Sequence, residues 1–298
     1  MNPGSKAALL LALLLPAGFA GVWRLETGIN AERDRMQQEE DLVLLRSPTL
    51  VAMMTLEYRT LAADLYWTRA VQYYGGKKLT RDRNLDSLWP LLDLATTLDR
   101  NLLPAYRFGA TFLSEPEPRG AGRPDLAVKL LERGIAANPG VWRLDQDLGN
   151  VYYLELKDYQ KAGQAYLEGS KKPGAAPWMK VMAARFLEGE SRETAAMLWG
   201  EVYQSTTDDL LKENARINLE LLRSEQDLER IDQIAGRYAS SAGHPPRSIR
   251  ELVEAGLLQG DPVDPLGYPY AIGEDGKARI SKQSPLSRQA GTFRRPLE

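Results

Sequence analysis

Cysteine is absent from this chain, and histidine occurs once, at His244. The first absence excludes disulfides, thiolate metal sites, a cysteine nucleophile and a lipidated N-terminal cysteine. The second leaves any Ser-His-Asp triad a single residue to run through, set in the loop Gly243-His244-Pro245-Pro246 with no Gly-x-Ser-x-Gly elbow beside it. Excess charge is missing too: 38 Lys plus Arg stand against 40 Asp plus Glu, a net charge of -2 over 298 residues. That balance argues against a strongly basic nucleic-acid surface. No Gly-Lys-Ser/Thr phosphate loop occurs, and Gly120-Ala121-Gly122 lacks the third glycine and the preceding strand of a dinucleotide loop. No cofactor and no metal are expected, and no nucleic-acid partner.

Long apolar runs are equally scarce, and the only one is Ala7 to Trp23, seventeen uncharged residues between Lys6 and Arg24. At helical rise it spans roughly 25 Å, the lower limit for crossing a bilayer. Residues 1–24 therefore read as a signal anchor entering the membrane through residues 7–23. The alternative is a signal peptide cut after Ala20, with Gly18 and Ala20 as the small residues of the cleavage site. Lys6 and the amino terminus inside would put the body on the outer side of the cytoplasmic membrane, in the periplasm. Residues 25–46 are charged and read as a stalk.

From Ser47 to about Glu225 the apolar residues recur at helical spacing, with turn signals every twelve to eighteen residues. Ser47-Pro48 has the form of a helix start, and Gly75-Gly76 that of a stop. Four blocks share a period. Pro124 to Pro139 places Ala127, Leu131, Gly134 and Pro139, preceded by Phe108-Gly109 and Phe112 and a six-residue insertion. Leu148 to Tyr166 contains Gly149, Tyr152, Ala162 and Tyr166, with one extra residue in its turn. Met182-Ala183, Phe186, Ala195, Trp199 and Val202 form the third, and Trp67, Ala70, Val71, Tyr74, Leu88, Leu92 and Ala95 a divergent first. Small residues at these places let paired helices approach, and large ones fill the gap. The segment resembles a tetratricopeptide-repeat array over residues 60–207, with Asp208 to Arg223 as a capping helix. The helix Tyr58 to Gly75, with Ala63-Asp64-Leu65-Tyr66-Trp67, is also similar to the leading helix of membrane-anchored bacterial repeat proteins, which implies an anchored scaffold and no activity.

What the repeat resemblance implies is a superhelix whose first helices line a groove for a protein or peptide partner. Counting from the small residue of each unit puts Tyr106, Arg143, Gln146, Asn150, Tyr153 and Lys180 on that groove, with Arg107 nearby; the equal alternative is an ordinary wetted face or one covered by the chain's own C-terminal segment. Rings beside amides and cations suit an extended peptide. A carboxylate clamp of the co-chaperone kind is not expected, because Gln146 stands where lysine is needed.

Beyond Ala242 the pattern changes. Ser248 to Leu258 reads as a short amphipathic helix, and Tyr270-Ala271-Ile272 and Ala278-Arg279-Ile280 as a hairpin around Asp275-Gly276. Leu252-Val253-Glu254-Ala255-Gly256-Leu257-Leu258, then Asp264-Pro265-Leu266-Gly267-Tyr268-Pro269-Tyr270, resembles the C-terminal part of type II secretion pseudopilins, with Leu266 where that family prefers an aromatic. The expected organisation is an anchor (1–24), a stalk (25–46), a mainly α repeat domain (47–240), a pseudopilin-like α+β module (241–281) and a disordered tail (282–298). The expected role is an envelope scaffold rather than an enzyme, in assembly of a type II secretion or type IV pilus machine. An unrelated envelope complex is the second reading, and a carboxylate-based hydrolase the competitor from another class.

Overall fold

In the computed structural model, residues 18–28, 51, 53, 55–80, 84–189 and 191–293 are described. Residues 1–17 of the expected anchor, 29–46 of the stalk, the Ser47-Pro48 helix start and 294–298 of the tail lie outside them. The described chain is mainly helical with one two-stranded sheet. It divides into two compact units, Met1–Asn138 and Pro139–Glu298. The boundary falls inside the segment expected to be one repeat domain.

In the first unit, helix α1 (18–28) leaves Phe19, Val22, Trp23 and Leu25 exposed. No described helix is long and apolar enough to cross a membrane. A 3₁₀ turn (Leu56–Tyr58) leads into α2 (Arg59–Thr80), followed by α3 (Leu88–Leu98), α4 (Leu103–Ser114) and α5 (Pro124–Ala137). Consecutive helices of this set pack side by side. Gly75-Gly76, expected to stop α2, lies within it. A glycine interior to a helix costs only about 1 kcal/mol, and Tyr74 just before the pair is fixed on both sides. Its ring stacks on Phe112 at 4.0 Å, and its hydroxyl donates to the Arg119 carbonyl at 2.5 Å. That bond also holds the insertion between α4 and α5, whose Ala121 and Arg123 amides donate back to Phe112 and Leu113. Pro104 in the first turn of α4 and Pro124 opening α5 occupy places where the missing N–H has no helical partner to lose.

The second unit begins with α6 (Trp142–Val151), which runs into a π-helical turn (Tyr152–Leu156) and ends at Lys157 in the left-handed region. This turn takes up the extra residue found in the sequence of that block. Asp158 then caps α7 (Tyr159–Ser170), and Ser191 caps α9 (Arg192–Ser205) after α8 (Trp178–Leu187). Several small residues sit where helices come close. A Cβ on Gly149 would lie 2.8 Å from the Tyr166 ring, and one on Gly134 2.8 Å from the Tyr106 ring. Ala162, Ala183, Ala195 and Trp199 are wholly buried in one shared core of α7, α8 and α9.

Helix α10 (Asp209–Ala242) is a single helix, where a shorter one ending at Arg223 was expected. Its N-terminal half gives Ala215 and Leu222 to the core of α8 and α9, and its C-terminal half gives Ile231, Ile234 and Ala235 to a second core. That second core is completed by α11 (Ile249–Glu254), Tyr270 and Ala278. Strands β1 (Ala271–Ile272) and β2 (Ala278–Arg279) pair antiparallel as the hairpin expected from Asp275-Gly276, with Gly276 at φ +75°. The module is tied to α10 by two carboxylates. Asp227 accepts from the Tyr270 hydroxyl at 3.2 Å, and Asp232 from the Ala278 amide at 2.6 Å.

Residues 282–293 correct another expectation. They were assigned to a disordered tail, yet α12 (Leu286–Phe293) is helical, with Leu286 and Ser284 buried. Asp264 explains the docking: one carboxylate oxygen accepts from the Leu266 and Tyr268 amides at 2.9 Å, and the other from the Ser284 hydroxyl. A buried carboxylate needs all of these donors.

Candidate functional site

The residues proposed from sequence as groove lining fall into both units. In the first, Tyr106 is wholly buried, its ring against Gly134 and its hydroxyl 3.4 Å from the Thr96 carbonyl. Its ring is therefore core and lines no open surface. Phe108, the large residue of the Phe108-Gly109 pair, is 57% exposed. Ala105, Gly109 and Leu113 share the buried face of α4 with Tyr106, one step away from the face that carries Phe108. Arg107 lies beside it, half-buried.

In the second unit Arg143, Gln146, Asn150 and Tyr153 follow one another at intervals of three, four and three. That spacing sets them on one face of α6 and its π-helical extension. All four reach solvent to some degree. The Arg143 guanidinium stacks over the Trp142 ring at 4.5 Å and has no carboxylate partner among the described residues. The Gln146 amide likewise has no hydrogen-bond partner there. Asn150 accepts from the Tyr166 hydroxyl at 2.5 Å, so its side chain is held in place. Burial pushes the Tyr166 phenol up to about 12, which keeps it a donor at neutral pH.

Helix α8 completes the surface through aromatic rings. Trp142 meets Trp178 edge-on at 6.3 Å, and Tyr153 lies 4.8 Å from Phe186, which also stacks with Tyr166 at 5.8 Å. Lys180, on the same helix, is turned to α9, where it pairs with Glu201 at 2.8 Å. The face is thus a row of rings from Trp142 and Trp178 to Tyr153 and Phe186, with an unpaired arginine at one end and an unpaired amide within it. Trp142 and Trp178 belong to this candidate face and were not among the residues expected from sequence. Each is the first residue of its helix, and that shared placement was the available signal.

Beneath this face Asp145 is almost wholly buried and pairs with Lys172 at 2.5 Å. Burial raises its carboxyl above the usual carboxylate range, against the pull of the Lys172 ammonium. Closer to the carboxylate pair that hydrolysis would need are Glu188 and Glu225. Burial, then the Glu225 charge, pushes Glu188 up, while Arg192 approaches Glu225 at 4.0 Å and binds Glu229 at 2.6 Å. These acids belong to an ion network anchored on an arginine. The only histidine is exposed beside an open cleft of about 350 Å³ lined by Pro245, Pro246, Arg247, Ile272, Gly273 and Glu274, with no nucleophile among them. No group of three or more metal-ligating side chains comes together among the described residues. Of the acids in the C-terminal turns, Asp264 is engaged as described and Asp275 pairs with Arg279 at 2.9 Å.

No protein-family model matches this chain, and no curated protein matches it either.

Proposed function

We propose that the protein is a membrane-anchored scaffold of the bacterial envelope whose second unit binds an extended segment of a protein partner. The observation that carries this reading is the face of α6 and α8. It offers solvent-reaching rings, an arginine without a carboxylate partner and an amide without a hydrogen bond among the described residues, the groups a peptide backbone and its side chains would satisfy. The tetratricopeptide reading is supported by Gly134, Gly149, Ala162, Ala183 and Ala195, which sit at the tight helix crossings or buried positions that pattern requires. Anchoring is supported by the apolar run Ala7 to Trp23 and by the exposed Phe19, Val22 and Trp23 of α1. The proposed link to a type II secretion or type IV pilus machine rests on residues 252–270 and on the hairpin packed against a long helix.

The test is a crosslinking pull-down of the full-length protein from native membranes, beside a variant carrying Arg143→Glu and Gln146→Ala. Neither side chain is buried in a core, and an unchanged circular dichroism spectrum checks that the variant keeps its fold. Partners captured by the wild type and lost in the variant support the face. Identical recovery rejects it, and partners outside any pilus or secretion machine reject that assignment alone.

A further inference from the structure

Helix α2 has two apolar faces. Ala62, Ala63, Tyr66, Ala70 and Tyr74 are buried in the first unit. On the opposite side Tyr58, at the end of the 3₁₀ turn, is 71% exposed, Leu61 57% and Leu65 63%. Exposed Thr68 and Gln72 continue the row. The steps are three, four, three and four residues, the spacing of a coiled-coil seam rather than of scattered surface residues. A helix whose outer face served only solvent would gain nothing from three large apolar side chains in register.

We propose that this row is a self-association seam, on which α2 of a second copy of the chain packs in parallel. The charges flanking the row select that occupant. With Tyr58 and Leu65 at the a positions and Leu61 and Thr68 at d, Glu57 and Asp64 fall at g and Arg69 at e. A parallel pair sets each g residue against the e residue five places on in the other copy. Asp64 then meets Arg69 of the partner subunit, twice by symmetry. An antiparallel pair would set Glu57 and Asp64 against the same acids of the other copy. A lipid surface would have no use for opposite charges on the two flanks. Arg69 already interacts within its own chain, and a guanidinium with five N–H donors serves both partners.

Three apolar side chains per copy bury far less than a stable free dimer requires. Tethering of both copies to one membrane, the single element taken from the function proposed above, raises the effective concentration enough for so small a seam. Parallel orientation is also what two chains entering the same membrane by the same end would adopt.

The absence of cysteine makes the test direct. Single variants Leu61→Cys, Leu65→Cys and, as a control on the exposed face of α5, Glu132→Cys are made in the full-length chain and oxidised mildly in native membranes. The seam predicts disulfide-linked dimers from Leu61→Cys alone and Leu65→Cys alone, severalfold above Glu132→Cys. Adding Asp64→Lys to Leu61→Cys lowers the yield severalfold, and adding Arg69→Glu to that pair restores it. Crosslinking no better than the control overturns the seam. Dimers formed only when Leu61→Cys and Leu65→Cys are mixed overturn the parallel arrangement. A Leu61→Cys chain that stays monomeric but is shielded from a water-soluble maleimide assigns the face to another occupant, and also overturns the proposal.

Discussion

Glycines and buried polar side chains carry the tightest constraints at the level of single residues. Gly149 has no room for a Cβ, because the Tyr166 ring stands 2.8 Å from where it would go. Gly149→Ala gains about 1 kcal/mol of helix propensity but overpacks a crossing at a cost of about 1–3 kcal/mol. A net loss on the order of 1 kcal/mol is expected, read as a lower urea midpoint, and an unchanged midpoint would contradict the crossing. Tyr166 and Tyr270 are both pushed up to about 12, chiefly by burial. A phenol raised above its unfolded value of 10.0 adds stability that is whole below that pH and is lost as pH rises towards about 12. Phenolate absorbance should therefore show a late-ionising group that includes Tyr166 and Tyr270 beside the other buried tyrosines, together with alkaline unfolding, and Tyr166→Phe should shrink that group by one. Early ionisation of all tyrosines without unfolding would speak against both burials.

At the level of elements, α10 is the piece on which the second unit depends. Its two halves serve different cores, with Leu222 in one and Ile231 in the other. Asp208 opens it by accepting from the Leu210 and Leu211 amides, a cap worth about 1 kcal/mol. A chain truncated after Ala242 loses the cover over Ile231, Ile234 and Ala235. Amide exchange in residues 226–242 should then accelerate severalfold while the half containing Ala215 and Leu222 keeps its protection. Equal loss in both halves would mean that the two cores form one cooperative element. The same logic accounts for α12: Asp264, twenty residues earlier, accepts from the Ser284 hydroxyl, which in turn accepts from the Leu286 amide at the start of the helix.

For the whole molecule, the proposed anchor makes a fractionation prediction. The full-length protein should sediment with membranes, resist alkaline carbonate and dissolve in detergent, since an apolar run buried in lipid does not respond to charge or ionic strength. Release of a soluble chain beginning at Gly21 would instead establish cleavage after Ala20.

Much of this was legible in the sequence. Helical periodicity, the Asp275-Gly276 hairpin and the exclusion of cysteine chemistry follow from local rules, because propensity and turn geometry act over a few residues. Which face of α4 turns inward did not follow. Tyr106 and Phe108 are both large and aromatic, and only Gly134 of the next helix admits the Tyr106 ring rather than its neighbour. The Asp145–Lys172 pair, the continuation of α10 through residue 223 and the docked tail were also beyond local reading. Each depends on a partner tens of residues away, and periodicity records that a face is apolar without recording what covers it. The sequence by itself determined the helical character and the turn chemistry, which are local, and excluded cysteine chemistry; the tertiary structure decided where helices end and which side chains became core, because both depend on partners far along the chain.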